Sequence, residues 1–387
     1  MSTTAPTRRT LQTIAVGVGA LTGAAVGGGL AVAAWFARAV LTPDQRRPDD
    51  VQVLAVGPDV VTLAATPETV VPGRYGLWLD GGEGHARVGE VLEQDEQAVV
   101  RRLVALDSGR LRPGPARWNQ YYYWDTPRVS LGVAHRDVTV PGEDGPLPAW
   151  LVEPERSNGR WAVLVHGRGA QREECLRAVP TLRRLGYTCL VVSYRNDVGA
   201  PPAPDGRYTL GLSEWRDLEA AMRYAIDHGA RRLVLVGWSM GGAIILQTLA
   251  RSVVSEAVEA VVLDSPVVDW GDVLSHHARV HHLPRMLGAA GTSMMGRRST
   301  TRLLGVHDPV DVPATNWVAR AHELHHRLLL QVSVDDEFVP AGPALSLAQV
   351  RPDLVTLERW HTARHCKEWN LDPARWERSV EQFLETP

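Results

Sequence analysis

The chain has 387 residues, 44% of them apolar and 22% charged, proportions of a globular protein with room for two domains or one large domain with additions. Its net charge of −3 gives no electrostatic ground for a nucleic-acid partner. Cys175, Cys189 and Cys366 show neither C-x-x-C spacing nor a framework of pairs, and read as free thiols. Lys367 is the only lysine, so clustered arginines reflect general usage and carry little functional weight.

Residues 1–40 open with Arg8 and Arg9, followed by an uncharged stretch from Leu11 to Ala37. A hydrocarbon core needs roughly 20 apolar residues, so this stretch predicts a single-pass N-terminal anchor at the cell membrane. A cleaved signal peptide ending near Ala37–Ala39, whose apolar part would run to only about 15 residues, and a buried helix are the alternatives. Arg38, Arg46 and Arg47 offset Arg8 and Arg9, which leaves the orientation open. Residues 41–50, "LTPDQRRPDD", read as a polar linker.

Over residues 51–128, short apolar runs alternate with Gly and Pro turns ("VQVLAV", "VVTLAA", "RYGLWL", "HARVGEVLE", "AVVRRLVAL"), which predicts a small β-rich region. An aromatic, Pro-rich link follows, "RPGPARWNQYYYWDTP", expected to cover the edge of the next domain, with a binding patch of its Tyr and Trp side chains as the alternative.

Residues 129–387 have a different texture. Near-continuous apolar runs ("WAVLVHG", "YTCLVVSY", "RRLVLVGW", "VEAVVLD", "LLLQVSV", "LVTLERW") alternate with helical stretches at about 171–185, 212–228, 243–251, 344–349 and 374–384. That alternation predicts an α/β domain with a mostly parallel sheet covered by helices on both faces. Its working loops belong at the C-terminal ends of the strands. Residues 266–327 break the pattern, are rich in His and Met, and read as a cap-like insertion over those ends. Met286, Met294 and Met295 are candidates for lining an adaptable apolar pocket there.

"VLVGWSMGGAII" (Val234–Ile245) places Ser239 between a strand and a helix, flanked by Gly237 and Gly241. Gly-x-Ser-x-Gly in that context is a nucleophile elbow, whose tight turn leaves no room for side chains two residues either side of the serine. The Met240 N–H then opens the helix and is a candidate oxyanion donor. The acid is expected after a late strand and the base after the last one. "DDEFVP" supplies Asp336, with Asp335 and Asp264 as competitors. "RWHTARHCKEWN" supplies His365, with His361 as the competitor. The loop "HGRG" (His166–Gly169) offers the Arg168 N–H as a second oxyanion donor.

Taken together, "LVHGRGA", "SYRND", "VGWSMGGAI", "LDSP", "DDEFVP" and "H-x-x-x-WN" resemble the α/β-hydrolase superfamily, specifically its bacterial serine esterase and peptidase-like branches. The resemblance begins near Val129 and does not reach the β-rich region. It implies the α/β-hydrolase fold, a Ser239–Asp336–His365 triad, an oxyanion hole from Met240 and Arg168, and no cofactor. The activity it implies is hydrolysis of an ester, thioester or amide, with a serine peptidase as the alternative. A membrane-tethered, inactive relative that binds a ligand is a further alternative. Two positions depart from the usual pattern: Arg364 stands where a Gly commonly precedes the histidine, and Val332-Ser333 where "HG" often precedes the acid.

Two His clusters carry a rival reading. "HELHH" (His322–His326) matches H-E-x-x-H, which on a helix would set His322 and His326 on one face for zinc. His277 and His281 are likewise four apart. No third ligand follows at a familiar spacing, so no metal site is expected and both are read as polar surface.

Overall fold

The computed structural model describes residues 31–43 and 48–386. Its first element is helix α1, residues 31–41, built from Ala-rich sequence of high helix propensity. Ala33, Ala37 and Leu41 recur every four residues and, with Ala34 and Phe36, are buried in the core of the α/β domain. Residues 31–37, the C-terminal end of the expected anchor, pack on protein here, and among the described residues no helix is long and apolar enough to cross a membrane. The remainder of the expected anchor, and residues 44–47 of the expected linker, lie outside the described residues.

The β-rich region is a closed six-stranded barrel in the order β1-β2-β5-β4-β3-β6. Its strands are β1 (Val51–Val56), β2 (Val60–Ala64), β3 (Tyr75–Leu79), β4 (Gly84–Gln94), β5 (Ala98–Ser108) and β6 (Gly114–Asn119). Closure depends on β6, which pairs with both β1 and β3. In the sequence that segment reads as the start of the aromatic link, because Pro113, Gly114 and Pro115 are turn residues that mask a strand start. Inward residues such as Val53, Leu63, Leu77, Val88 and Trp118 fill the interior.

Arg101 is also fully buried in the barrel. Its guanidinium donates five hydrogen bonds to the carbonyls of Thr69, Val71, Gly73 and Gly89, between the rings of Tyr75 and Trp118. Desolvation pulls its pKa down to about 10. The arginine thereby fixes the 66–74 strap between β2 and β3 to the barrel wall.

A short helix α2 (Pro127–Leu131) leads into an eight-stranded sheet of order β14-β13-β12-β11-β9-β10-β8-β7. The strands are β7 (Arg136–Gly142), β8 (Gly145–Val152), β9 (Arg160–Val165), β10 (Thr188–Val192), β11 (Arg232–Trp238), β12 (Val258–Asp264), β13 (Arg327–Ser333) and β14 (Val355–Trp360). β7 and β8 form an antiparallel hairpin, β8 runs antiparallel to β10, and all later neighbours are parallel.

The apolar runs split by pleat between two cores. Val163, Leu235 and Val261 face α4 (Trp215–Asp227) and α5 (Met240–Arg251). Leu164, Val236 and Val262 face α3 (Val179–Arg184) and the terminal helix, Pro373–Glu385. The helix expected at 171–185 is instead a 3-10 turn, Arg172–Arg177, followed by α3. Pro180 accounts for the break, because it can sit only in the first turn of a helix.

The insertion carries α6 (Trp270–Val280), α7 (Arg285–Met295) and α8 (Thr301–Leu304). Met294 and Met295 are buried in the main core, while Met286 is 83% exposed. Met294 and Met295 therefore serve packing, while Met286 faces outward. After it come α9 (Gly342–Val350), α10 (Glu368–Leu371) and α11 (Pro373–Glu385). The aromatic link joins the two parts, with Tyr122 and Tyr123 against Trp369 and Trp124 stacked on His85 of the barrel.

Candidate active site

Ser239 sits between β11 and α5 with φ +50° and ψ −114°, a left-handed strained backbone of the kind that concentrates at functional sites. The flanking glycines are there for space. A Cβ on Gly241 would lie 2.3 Å from the Val165 carbonyl, and one on Gly237 would lie 2.6 Å from the Ile245 side chain. Only a turn this tight lets α5 start directly against the sheet.

Three side chains distant in sequence meet at the strand ends. His365 Nε2 is 3.0 Å from Ser239 Oγ, and His365 Nδ1 is 2.7 Å from Asp336 Oδ2. The other Asp336 oxygen accepts the N–H groups of Phe338 and Val339, both at 2.8 Å, which fixes the carboxylate before the imidazole arrives. Burial opposes a charge on His365, but the Asp336 charge and hydrogen bond outweigh it and hold the imidazole pKa above its ordinary value.

The competing residues do other work. Asp335 is half exposed and accepts from the Thr362 N–H at 2.7 Å. His361 points to solvent, 76% exposed. Asp264 is buried at the end of β12, accepting from Trp376 Nε1 at 2.8 Å.

The candidate oxyanion donors are held by neighbours. The Met240 N–H opens α5 and has no intrahelical acceptor. The Gly167 carbonyl accepts from His166 Nδ1 at 2.9 Å and from the Tyr194 hydroxyl at 3.0 Å. Because the peptide is trans, the Arg168 N–H points the opposite way. Gly167 and Arg168 line a cavity of about 280 Å³ together with Ser239 and His365. His166 Nε2 meets Asp197 at 2.8 Å, so both ring nitrogens face acceptors. Despite burial, Asp197 therefore raises the His166 pKa and favours imidazolium.

Sequence reasoning missed Glu174. It is buried in the wall of the same cavity, accepting from the Gly167 N–H and from Gln120 Nε2, both at 2.8 Å. No motif marks it, because its partners lie on the oxyanion loop and on the link after the barrel.

The histidine loop is braced by the barrel. Arg364, the departure from the usual Gly, has φ +63°, the left-handed backbone that glycine accommodates most easily. Its guanidinium pairs with Glu68 of the strap at 2.9 Å, and Lys367 pairs with the same carboxylate at 2.5 Å. The Arg74 N–H donates to the Asn370 carbonyl, and Asn370 Nδ2 donates back to the Arg74 carbonyl.

Below that loop, Glu368 is buried against Asp264. Burial, then the Asp264 charge, hold the Glu368 pKa well above the ordinary carboxyl range. Burial thus favours the protonated form of Glu368 beside Asp264, while its Oε1 accepts from the Ser265 hydroxyl at 2.8 Å. The folded state keeps a proton that the unfolded chain releases near pH 4.3, so stability falls as pH rises from there toward the raised value. Wild type is expected to lose more stability between about pH 6 and pH 9 than Glu368→Gln, which retains a donor without titrating. Urea unfolding at the two pH values measures this, and equal losses would contradict it.

The histidine clusters do not form a metal site. Ala321–Glu323 is a single 3-10 turn, Glu323 pairs with Arg320, and His326 bonds the Ser255 carbonyl. His276 and His277 bond the Glu337 and Phe338 carbonyls, tying α6 to the acid loop. Among the described residues, no group of three His, Cys, Asp or Glu side chains could hold a metal ion.

Comparison with known proteins follows the two-part architecture. Residues 162–383 match the alpha/beta hydrolase family, and residues 52–119, the barrel, match a domain of unknown function. No curated protein matches the chain. Among solved structures, the Pyrococcus furiosus esterase Pf2001 is similar at 19% identity and a TM-score of 0.51, over 67% of this chain and 93% of that one. The esterase RhEst1 from Rhodococcus sp. ECU1013 is 19% identical at a TM-score of 0.44, over 65% and 98%. At 19% identity the likeness to the Pyrococcus furiosus esterase speaks to the fold alone.

Proposed function

The chain belongs to the alpha/beta hydrolase family, and we propose that it is a serine hydrolase cleaving a carboxylic ester through an acyl-enzyme on Ser239. The observation that carries this reading is the unbroken hydrogen-bonded series Ser239–His365–Asp336 at a strained strand-to-helix turn.

Ser239 Oγ attacks the ester carbonyl while its proton passes to His365 Nε2, and Asp336 stabilises the resulting imidazolium. The carbonyl oxygen takes up negative charge opposite the Met240 and Arg168 N–H groups. The carbon–oxygen bond to the alcohol then breaks, and His365 returns the proton to the departing oxygen. Water, deprotonated by His365, repeats the attack and releases the acid.

Wild type is expected to hydrolyse 4-nitrophenyl acyl esters faster than the matching aminoacyl amides. Ser239→Ala is expected to lose about 10⁴-fold or more in kcat. Ester hydrolysis surviving in Ser239→Ala would reject the reading, and amides cleaved faster than esters would turn it toward a peptidase.

A further inference from the structure

Helix α1 reaches the active site. Its last carbonyls are gathered by the Arg168 guanidinium, which donates to Val40, Ala39 and Thr42 at 2.8, 3.0 and 2.7 Å. This charge at a helix C-terminus is favourable, and it joins α1 to the loop that carries the Arg168 N–H. On its other side α1 lies close against α7, where a Cβ on Gly291 would sit 3.1 Å from the Ala33 carbonyl.

Between α1 and α6 lies a second cavity of about 210 Å³, walled by Trp35, Phe36 and Ala39 on one side and by Trp270 and Leu274 on the other. Arg168 and Phe338 line this cavity and also the one that holds Ser239 and His365. That pair of side chains is the wall the two spaces share. The outer one is mostly apolar, and its volume falls below the roughly 300 Å³ at which drug-sized pockets begin. It suits a narrow aliphatic chain.

We propose that α1 is one wall of the substrate pocket and that the substrate is an ester bearing a short or medium unbranched aliphatic chain, lodged between α1 and α6. This rests on the serine-hydrolase reading and adds to it the substrate class and the segment that selects it. The chain belongs to either the acyl or the alcohol half of the ester, and both halves are tested.

Ala39→Phe fills the cavity from an exposed helix position with little threat to folding. The full-length protein is assayed with 4-nitrophenyl acetate against 4-nitrophenyl octanoate, and with ethyl acetate against octyl acetate. Labelling of Ser239 by a short-chain fluorophosphonate is followed in parallel.

The variant is expected to lose roughly tenfold or more in kcat/KM toward the octanoyl or the octyl ester, since several methylenes are then left in water rather than buried. Acetate and ethyl esters are expected to lose much less than the long-chain esters, because they do not reach the filled space, and Ser239 is expected still to label. If long and short esters change equally while Ser239 still labels, α1 does not wall the pocket and the proposal is overturned alone. If wild-type Ser239 neither labels nor turns over any ester, the serine-hydrolase reading falls and this proposal with it.

Discussion

Asp336→Asn is expected to lower kcat by about 10⁴-fold while leaving KM and the fold nearly intact. The fold survives because an amide oxygen at the Asp336 Oδ1 position still accepts the Phe338 and Val339 N–H groups. The rate falls because the amide gives His365 Nδ1 no negative partner, so the ring is no longer held with its basic Nε2 facing Ser239. The pH profile provides an independent reading of the same contact. Base catalysis needs neutral imidazole, and Asp336 holds the His365 pKa up. The acid limb of wild-type kcat/KM is therefore expected above about 6.5, the ordinary histidine value. In Asp336→Asn the limb is expected to move to lower pH. Steady-state kinetics across pH 5–9 (roughly the span in which histidine titrates) checks both effects, and an unmoved limb would mean that Asp336 does not control the imidazole.

The largest effect on stability is expected from Arg101→Met. The substitution keeps much of the apolar stem but strands four carbonyls, those of Thr69, Val71, Gly73 and Gly89, inside the barrel. Each buried acceptor left unsatisfied costs about 1–3 kcal/mol, so a loss of about 4 kcal/mol or more is expected in urea unfolding. The damage should also reach the chemistry. The strap that Arg101 holds carries Glu68, whose carboxylate pairs with Arg364 and Lys367 on either side of His365. Surviving folded protein is therefore expected to show a reduced kcat as well. A variant that loses stability with kcat unchanged would show that the barrel does not brace the histidine loop.

How much of this was legible in the sequence follows from how local each signal is. The α/β alternation, the elbow and the order serine, acid, histidine are local or run along the chain. They pointed to the residues now found 3.0 and 2.7 Å apart. The five apolar runs of the β-rich region were legible for the same reason. Barrel closure was not, since β6 is recognised only by its pairing with β1 and β3. The sequence left open where α1 lodges, because an Ala-rich helix suits a bilayer and a protein core alike, and in the structure its apolar face packs in the core.

The sites that bind the parts together were the least legible. Glu174 holds the oxyanion loop from seven residues away and the aromatic link from farther off. Glu68 meets Arg364 across almost 300 positions of sequence. Arg364 itself looked like a defect where glycine is usual. Its left-handed backbone keeps the expected turn, while its side chain supplies an ion pair that glycine could not. The H-E-x-x-H match failed for a local reason, since the chain turns after Glu323 and never places His322 and His326 on one helical face.

The most direct test of the central claim is intact-mass and peptide mapping after reaction with a fluorophosphonate. A single adduct on the peptide containing Ser239 is expected, formed rapidly in wild type, slowly in His365→Ala and not at all in Ser239→Ala. No adduct in folded wild-type protein, or an adduct on another residue that persists in Ser239→Ala, would contradict the claim that Ser239 is an activated nucleophile.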